Sequence, residues 1–379
     1  MSTSIPLYIH IPFCRKKCSY CDFYSIEYEE ELARKYIEVL IKQIRNFKEK
    51  GYNFSTLYIG GGTPSVLAEK LLERLLKSLE LSKMQEASFE ANPESLSREK
   101  LKLLLELGIN RLSVGVQSFD DKVLRFLARL HTSEEALKAI SLAKEVGFEN
   151  INVDLIYGVP NKDFNLWKKE LELVVTLPIK HISLYSLTYE KSTPLFLRLR
   201  NREFTPISEE EEAQIYKYAV EYLEREKFFR YEVSNFSKRG YECRHNLIYW
   251  ENAPYLGIGP SAVSYIEGVR KKYILDIYQY IEAIERGQEN EIFIEKEELP
   301  PLKRAKETAV LNLRMRGGIN FKEFKKFTGF DFLEIEEANF NRLLRERLLT
   351  FKRKDSKIYG VRLTKKGFLF YDYVSREFL

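Results

Sequence analysis

The amino-acid sequence predicts an α/β fold with a mainly parallel β-sheet, followed by a smaller helical region. Six short β-rich runs alternate with longer segments of helical periodicity. The first run leads into a loop with three cysteines, and glycine or polar residues recur at the ends of the later runs. With 379 residues, of which 44% are hydrophobic, the chain can bury a large core.

The β-rich runs and the helical segments follow one another in strict order from Leu7 onward. Such a succession of βα units predicts parallel strands joined by right-handed crossovers, arranged as a doubly wound layer or as a curved, incomplete barrel. The predicted strands are residues 7–11, 56–59, 86–91, 111–116, 151–157 and 181–187. The predicted helices between them are residues 30–48, 64–81, 97–107, 133–146 and 165–176.

The regular alternation fades after Leu187, and a different pattern begins at Pro300-Pro301. Residues 209–228 read as one amphipathic helix and residues 230–235 as a further strand. Helices at 302–316, 321–327 and 333–344, a hairpin of strands 349–353 and 358–362, and a last helix from Thr364 predict a winged-helix-like module. We therefore expect three units: 1–190, 191–299 and 300–379.

Composition and charge narrow the class of protein. Lys plus Arg number 61 and Asp plus Glu 56, and the resulting charge of +5 is spread over segments of mixed sign, which gives little support to nucleic-acid binding. No apolar run approaches the roughly 20 residues of a membrane span, and Met1-Ser2-Thr3-Ser4 has no signal-peptide pattern. We expect a cytoplasmic protein, in which closely spaced cysteines indicate metal or redox chemistry rather than disulfides.

Cys14, Cys18 and Cys21 are three of only four cysteines, and they share one short loop after the first predicted strand. Thiolates suit iron–sulfur clusters, and three of them would leave one iron of a cubane open to another ligand. Two alternatives stay open at this point: a structural zinc site with His10 as the fourth ligand, and simple packing of buried cysteines.

Polar and glycine residues follow the other predicted strands at equivalent positions. Barrel geometry would gather these strand ends at one face, where such folds keep their chemistry. Each residue alone fits a structural role, such as a cap or an ion pair, but their recurrence predicts a shared pocket. The residues are the run Gly60-Gly61-Gly62-Thr63-Pro64, then Glu90, Gln117 and Asp154, with Arg129 and His131 on a short helix-like piece at residues 126–131.

A second motif, Cys243-Arg-His245-Asn246-Leu-Ile-Tyr249-Trp250, lies outside the regular alternation. The functional interpretation is an aromatic-lined site in which His245 is an axial haem ligand or a polar handle. The alternative is a packed aromatic loop in which His245 is only hydrogen-bonded.

Taken together, these residues resemble the radical S-adenosylmethionine (SAM) proteins. Within them the chain is most similar to the HemW-type haem chaperones, relatives of oxygen-independent coproporphyrinogen III oxidase. The resemblance covers nearly the whole chain, and it implies a partial (β/α)6 TIM-like radical SAM barrel with a C-terminal helical, winged-helix-like domain. The matching motifs are Tyr8-Ile-His10-Ile-Pro12-Phe13-Cys14, Cys18-Ser-Tyr20-Cys21-Asp-Phe23, Gly60 to Pro64, Gly115-Val-Gln117-Ser-Phe119, Asp154-Leu-Ile-Tyr-Gly-Val-Pro160 and His245-Asn246-Leu-Ile-Tyr249-Trp250.

The resemblance also implies a set of site residues. Cys14, Cys18 and Cys21 would bind a [4Fe–4S] cluster whose fourth iron is chelated by SAM. Haem would be bound as cargo, with His245 as its predicted ligand and Cys243 as the next candidate. The positions expected to contact SAM are Tyr8, Tyr20, Gly61, Gly62, Thr63, Glu90, Gln117, Arg129 and Asp154.

The resemblance favours a haem chaperone over an oxidase. The oxidase pattern continues Cys-x2-Cys-x-Cys, whereas Phe23 stands at the last position here, and Tyr8 lies too near the start for the extension that precedes the oxidase barrel. The chaperone interpretation implies SAM and cluster binding but leaves open whether SAM is cleaved. The alternatives are oxygen-independent coproporphyrinogen III dehydrogenase and a radical enzyme that modifies nucleic acid.

The expected partners follow from the chaperone interpretation. Haem-accepting proteins, either respiratory membrane subunits or haem storage proteins, would receive the cargo. A flavodoxin or an NADH-linked reductase would supply electrons. We expect a monomer or homodimer that neither binds nucleic acid nor spans a membrane.

Overall fold

The computed structural model describes residues 3–379, so Met1 and Ser2 of the predicted first unit lie outside the described residues. Its strands have the following bounds. They are β1 (Thr3–Ile11), β2 (Phe13–Cys14), β3 (Ile26–Glu27), β4 (Tyr52–Gly61), β5 (Glu86–Ala91), β6 (Arg111–Gln117), β7 (Asn150–Tyr157), β8 (His181–Ser186), β9 (Phe229–Arg230), β10 (Asn235–Ser237), β11 (Leu256–Ile258), β12 (Val263–Ile266), β13 (Val269–Tyr273), β14 (Phe293–Glu298), β15 (Ile319–Asn320), β16 (Leu349–Lys354) and β17 (Lys357–Leu363).

The helices alternate with the strands of the first half and dominate the last eighty residues. They are α1 (Glu30–Glu49), α2 (Glu69–Lys77), α3 (Arg98–Glu106), α4 (Asp121–Phe126), α5 (Ser133–Val146), α6 (Phe164–Val174), α7 (Pro194–Arg200), α8 (Glu209–Arg225), α9 (Arg244–Trp250), α10 (Ile277–Glu285), α11 (Pro301–Arg314), α12 (Phe321–Thr328), α13 (Phe332–Ile335), α14 (Glu337–Arg345), α15 (Lys365–Leu369) and α16 (Tyr371–Arg376). None of the helices in residues 3–379 is long and apolar enough to cross a membrane.

The largest sheet has nine strands in the order β11-β1-β4-β5-β6-β7-β8-β10-β9. The first seven strands in this order run parallel, and β10 and β9 close the other edge antiparallel. All six predicted strands lie in the parallel part in sequence order. The predicted α/β fold with a mainly parallel sheet is therefore confirmed.

The two faces of this sheet differ in polarity because successive side chains of a strand point to opposite sides. The apolar face packs against the helices, among which α10, α1, α2, α3 and α5 contact one another in succession. Fully or almost fully buried on it are Leu7, Ile9, Leu57, Ile59, Phe89, Leu112, Val114, Val153, Leu155, Ile182 and Leu184. The alternate positions form the inner face: Tyr8, His10, Thr56, Tyr58, Ser88, Glu90, Arg111, Ser113, Asn152, Asp154, His181 and Ser183.

The segment 191–299 completes the large sheet at both edges. Its strand β11 pairs with β1, and its strands β10 and β9 follow β8. The single strand predicted at 230–235 was wrong: the carboxylate of Glu232 accepts the backbone N–H of Ser234 at 2.9 Å, and this turn separates β9 from β10. A small sheet of β12, β13 and β14, which the sequence did not predict, also belongs to this segment.

The C-terminal region has a hydrophobic core of its own, built from residues 305–378. The predicted hairpin is confirmed, since Asp355 and Ser356 form its tight turn with φ values of 48° and 62°. The helix predicted at 333–344 is instead two helices, because Glu336 leaves helical geometry at φ −145° and ψ 60°. β15 adds a third, unpredicted strand to the hairpin. The three-unit division itself stays a prediction.

A buried ion pair joins the C-terminal region to the large sheet. Arg314 of α11 donates from Nε to Glu232 at 2.6 Å and from Nη2 to Ser234 Oγ at 3.0 Å. The side chain of Glu232 is fully buried, and the Arg314 guanidinium also lies 4.4 Å from the centroid of the Trp250 ring. Removal of the cation would leave a buried carboxylate without its charged partner.

We therefore expect Arg314→Met to lower the free energy of unfolding by about 3–5 kcal/mol, the usual cost of breaking a buried pair from one side. Urea unfolding of the purified protein measures this change. Arg345→Met, which alters an exposed side chain of α14, is the control and should change stability by less than about 0.5 kcal/mol. Equal stability of the two variants would contradict a structural role for the pair.

Candidate functional site

The loop after β1 places the three cysteines at the carboxyl ends of the parallel strands. The short strands β2 and β3 pair and close the base of this loop. The glycine turn after β4 packs against it: Gly62 donates its N–H to Ile11 O, and Thr63 donates to Phe13 O, both at 2.8 Å. Cys14 Sγ lies 3.5 Å from Thr63 Oγ1. The cysteine loop and the predicted glycine run therefore form one unit.

Glycine is required at two positions of this turn. A Cβ atom at Gly62 would lie 2.7 Å from Phe13 O and 3.0 Å from Cys14 Sγ. Gly61 has a φ of 116°, and a Cβ there would lie 2.7 Å from the His10 ring. The two glycines thus allow the close approach of the turn to the cysteine loop.

The three cysteines are partly buried and form no disulfide. Burial raises the pKa of Cys14, and it raises the pKa of Cys21 to about 11, with further contributions from neighbouring thiolates. Without a cation the thiols of Cys14 and Cys21 stay protonated at neutral pH, and coordination to a metal centre would deprotonate them. This donor set fits an iron–sulfur cluster.

The surroundings of His10 do not support a zinc site. Tyr24 O can only accept, so His10 Nε2 donates to it at 2.9 Å, and His10 Nδ1 accepts from the Tyr8 hydroxyl at 3.0 Å. Both ring nitrogens are therefore engaged. Among the described residues, no group of three or more His, Cys, Asp or Glu side chains is arranged to hold a single metal ion. A cubane is larger than one ion, so thiolates that bind its separate irons need not converge on a point.

Arg129 connects the cysteine loop to two strand ends. The guanidinium donates to Cys18 Sγ at 3.3 Å, to Asn92 Oδ1 at 2.7 Å and to Gly115 O at 2.6 Å. The helix-like piece predicted at 126–131 was wrong: α4 ends at Phe126, and Ala128 adopts a left-handed φ of 58°. This turn brings Arg129 back towards the strand ends.

Arg129 also retains one unused donor. Its Nε has no partner among residues 3–379, although the atom is buried. A buried N–H without an acceptor is costly, and a carboxylate is the acceptor that a guanidinium binds best. The arrangement fits the prediction that Arg129 contacts SAM, which carries a carboxylate.

Glu90 lies on the inner, polar face of the large sheet, and its carboxylate accepts two hydrogen bonds. It accepts the Tyr58 hydroxyl at 2.7 Å and the Gly61 N–H at 3.3 Å. Burial, together with the negative charge of Asp154, raises the pKa of Glu90 to about 7. The raised pKa means that the ionised carboxylate is costly to bury. A cationic or hydroxyl-bearing ligand would reduce this cost by pairing with the carboxylate.

Asp154 belongs to the same interior. It accepts from Ser113 Oγ at 3.2 Å and from Asn152 Nδ2 at 2.8 Å, and burial raises its pKa. The register of β6 against β7 shifts just before Gln117, and Gln117 has a φ of 69°. A Cβ atom at Gly115 would meet Gln117 Nε2 at 3.0 Å, so the Gln117 amide lies close to the end of β6.

The predicted SAM residues therefore gather in two connected groups. Around the cysteine loop are Gly62, Thr63 and Arg129, together with Tyr20, which packs beside that loop against an apolar cluster. On the polar face are Tyr8, Gly61, Glu90 and Asp154, with Gln117 at the adjoining strand end. Gly61 joins the groups because its N–H donates to Glu90 and it directly precedes Gly62 in the sequence.

His245 lies deeper, beyond Tyr58, whose ring centroid is 5.4 Å from that of His245. The imidazole is fully buried, and its nitrogens bond to Thr56 Oγ1 at 2.8 Å and to the Tyr249 hydroxyl at 2.9 Å. Burial lowers the pKa of His245 to about 3. Ligation of haem by this ring would require one of the two hydrogen bonds to open.

Sequence reasoning missed most of the polar face. Glu86 accepts the backbone N–H groups of Arg244 and His245 at 3.0 and 3.1 Å, and so fixes the start of α9. Arg111 is 1% exposed, and its Nε and Nη1 have no partner among the described residues. The available signal was the alternation of polar and apolar residues along 86–90, 111–115 and 150–154, which indicates a two-sided strand.

Two protein-family models match the chain. A model of the radical SAM superfamily matches residues 8–174, and a model of the HemN C-terminal domain matches residues 299–370. The "Heme chaperone HemW" of Lactococcus lactis is 35% identical over 98% of this chain and 96% of its own length. The HemW of Bacillus subtilis is 34% identical over 85% of this chain and 86% of its own length. This chain belongs to the HemW family of the radical SAM superfamily.

Membership of the superfamily implies a [4Fe–4S] cluster and SAM, which agrees with the donor set of the cysteine loop. A solved structure, the coproporphyrinogen III oxidase HemN of Escherichia coli, superposes with a TM-score of 0.82 over 99% of this chain and 90% of its own. At 22% sequence identity this likeness shows the shared fold alone.

The pKa of Glu90 predicts a pH dependence of stability. Since the folded pKa of about 7 exceeds the ordinary value of 4.5, the native state binds more protons between these values, and stability falls as pH rises from about 5 to 7. Glu90→Gln removes this loss. The free energy of unfolding of the variant, relative to that of the parent, should therefore increase by on the order of 2 kcal/mol from pH 5 to pH 7.

Urea unfolding at pH 5, 6 and 7 measures this difference. Glu99→Gln on the exposed surface of α3 is the control, and its difference from the parent should be independent of pH. A constant difference between Glu90→Gln and the parent would show that Glu90 titrates normally.

Proposed function

We propose that this protein is a haem chaperone that binds a [4Fe–4S] cluster and SAM and delivers haem to haem-requiring proteins. The observation that carries the proposal is the cysteine loop, with three thiols above a polar interior. Phe23, which is 66% exposed, stands where the oxidase pattern has a further thiol. The names of the HemW relatives support haem as the cargo.

The proposal gives each group of side chains a separate task. Cys14, Cys18 and Cys21 hold the cluster, and Arg129 orients the loop through Cys18 while its free Nε–H binds the SAM carboxylate. Glu90 and Asp154 bind cationic or hydroxyl groups of SAM, with Gln117 beside them. A [4Fe–4S] cluster held by these three thiolates would supply one-electron chemistry beside the bound SAM.

The other predicted contacts have supporting tasks. Tyr8 and Tyr20 flank the cofactor, and Gly61, Gly62 and Thr63 present backbone groups to its methionyl amino end. The proposed partners are haem-accepting proteins and a one-electron donor such as flavodoxin or an NADH-linked reductase.

We expect Cys14→Ser, Cys18→Ser and Cys21→Ser each to lose most of the cluster after anaerobic reconstitution, because serine replaces a soft thiolate ligand. Iron and acid-labile sulfide per chain measure the loss. Cys243→Ser is the matched control: Cys243 is fully buried beside Glu86, away from the loop, and its substitution should leave both values unchanged. Full cluster content in a Cys18→Ser chain would refute the assignment.

Haem titration of the reconstituted parent tests the cargo. We expect a saturable shift of the Soret band at about one haem per chain, and an unchanged spectrum would refute haem binding. In parallel, an anaerobic assay with coproporphyrinogen III and SAM tests the oxidase alternative. Formation of protoporphyrinogen would replace the chaperone proposal with that enzyme.

His245→Ala extends this titration to the predicted haem ligand. Loss of the Soret shift in a folded variant would support ligation by His245. Unchanged haem affinity would assign the imidazole to packing with Thr56 and Tyr249, and would move the search for the iron ligand elsewhere.

A further inference from the structure

A groove of about 650 Å³ separates α8 from the C-terminal domain. Tyr216 and Val220 of α8 form one wall, and Leu363 and Phe368 of the C-terminal domain form the opposite wall. Its size is that of small-molecule sites. None of the predicted cluster, SAM or haem residues lines it.

Basic side chains outnumber acidic ones in the groove: six line it, against the two carboxylates of Glu221 and Glu224. Only Arg316 among its basic residues forms an ion pair within the described part of the chain, with Glu224 at 3.3 Å. The surrounding C-terminal residues 300–379 contain 19 Lys and Arg but 10 Asp and Glu, so positive charge is concentrated here although it is diluted over the whole chain. The basic residues that line the groove are Lys217, Arg230, Arg316, Arg362, Lys365 and Lys366.

Arg230 is the buried member of this set, with 6% of its surface exposed. Its guanidinium carbon lies 3.7 Å from the centroid of the Phe368 ring, and its Nη1 donates to the Tyr216 hydroxyl at 3.3 Å. Its Nε is buried and has no partner in residues 3–379. A buried cation without a carboxylate partner is costly, and an anionic oxygen from a ligand would satisfy it.

Val220, Leu363, Phe368 and Leu369 give the same groove an apolar wall. A bare phosphate ion needs cations but no apolar wall, so the combination favours a ligand with an apolar body and anionic groups. Haem has this chemistry, since two propionates project from an apolar macrocycle. We propose that the groove binds haem, with the basic residues pairing its propionates and the apolar wall contacting the macrocycle. This inference rests on the proposed function.

The groove and His245 lie on opposite sides of the chain near β9. Tyr231 follows Arg230 directly, and its hydroxyl contacts His181 Nε2 at 2.8 Å and the N–H of Cys243 at 3.3 Å, on the side of the polar interior. Arg230 points the other way, towards Phe368. Haem bound in the groove is therefore independent of the His245 ring.

Two matched triple variants test the groove. Arg362→Gln/Lys365→Gln/Lys366→Gln removes three exposed cations of the groove, and Arg353→Gln/Lys354→Gln/Lys357→Gln removes the same residue types from the hairpin tip of the same domain. Each full-length variant is titrated with haem and with haem dimethyl ester, in which both propionates are neutral. Circular dichroism confirms that each variant is folded.

We expect the groove variant to bind haem about tenfold more weakly than the parent, a change of about 1.4 kcal/mol, and the hairpin variant to bind as the parent does. The dimethyl ester should bind the groove variant and the parent equally, because it offers no carboxylates.

Two outcomes would overturn the inference in different ways. If the parent binds haem and the groove variant binds it with the same affinity, the groove assignment is overturned and the proposed function stays intact. The same conclusion would follow if the groove substitutions weakened the binding of the dimethyl ester as much as the binding of haem. A parent chain that binds no haem would overturn both.

Discussion

The polarity of the large sheet is the constraint on which the rest of the structure depends. Parallel sheets usually bury apolar residues on both faces, but here only the outer face does so. The inner face carries two neighbouring carboxylates, Glu90 and Asp154, whose burial raises both pKa values. Hydrogen bonds from Tyr58, Ser113 and the backbone of Gly61 partly offset this cost. A bound cationic cofactor would offset more of it, so the site is poised for a ligand at the expense of stability.

The cysteine loop has little regular structure, and its position depends on contacts with other strand ends. Backbone hydrogen bonds from Gly62 and Thr63 hold its base, while Arg129 reaches Cys18 from the turn between α4 and α5. These contacts come from residues that follow β4 and β6 rather than from the loop itself. A substitution at Arg129 would therefore affect both the cluster loop and the strand-end carbonyl of Gly115.

The segments after β8 link the large sheet to the C-terminal domain. Glu232 and Arg314 join the large sheet to the C-terminal domain, and the groove beside them gathers cations that the overall charge of +5 conceals. The fold shared with the E. coli oxidase does not separate a chaperone from an oxidase. That distinction depends on individual positions such as Phe23. It also depends on the HemW relatives, because the chain aligns with most of their length.

The sequence by itself determined the order of the βα units, the three cysteines and most of the strand-end residues, because these signals are local: periodicity, spacing and residue type. It also carried the HemW resemblance that the comparisons confirmed. Tertiary structure decided what depends on contacts between distant residues. Examples are the two edges that segment 191–299 adds to the sheet, the burial of His245 between Thr56 and Tyr249, and the hydrogen bonds that engage both ring nitrogens of His10. The groove cations Lys217 and Lys366 are far apart in sequence, so no local pattern could have placed them together.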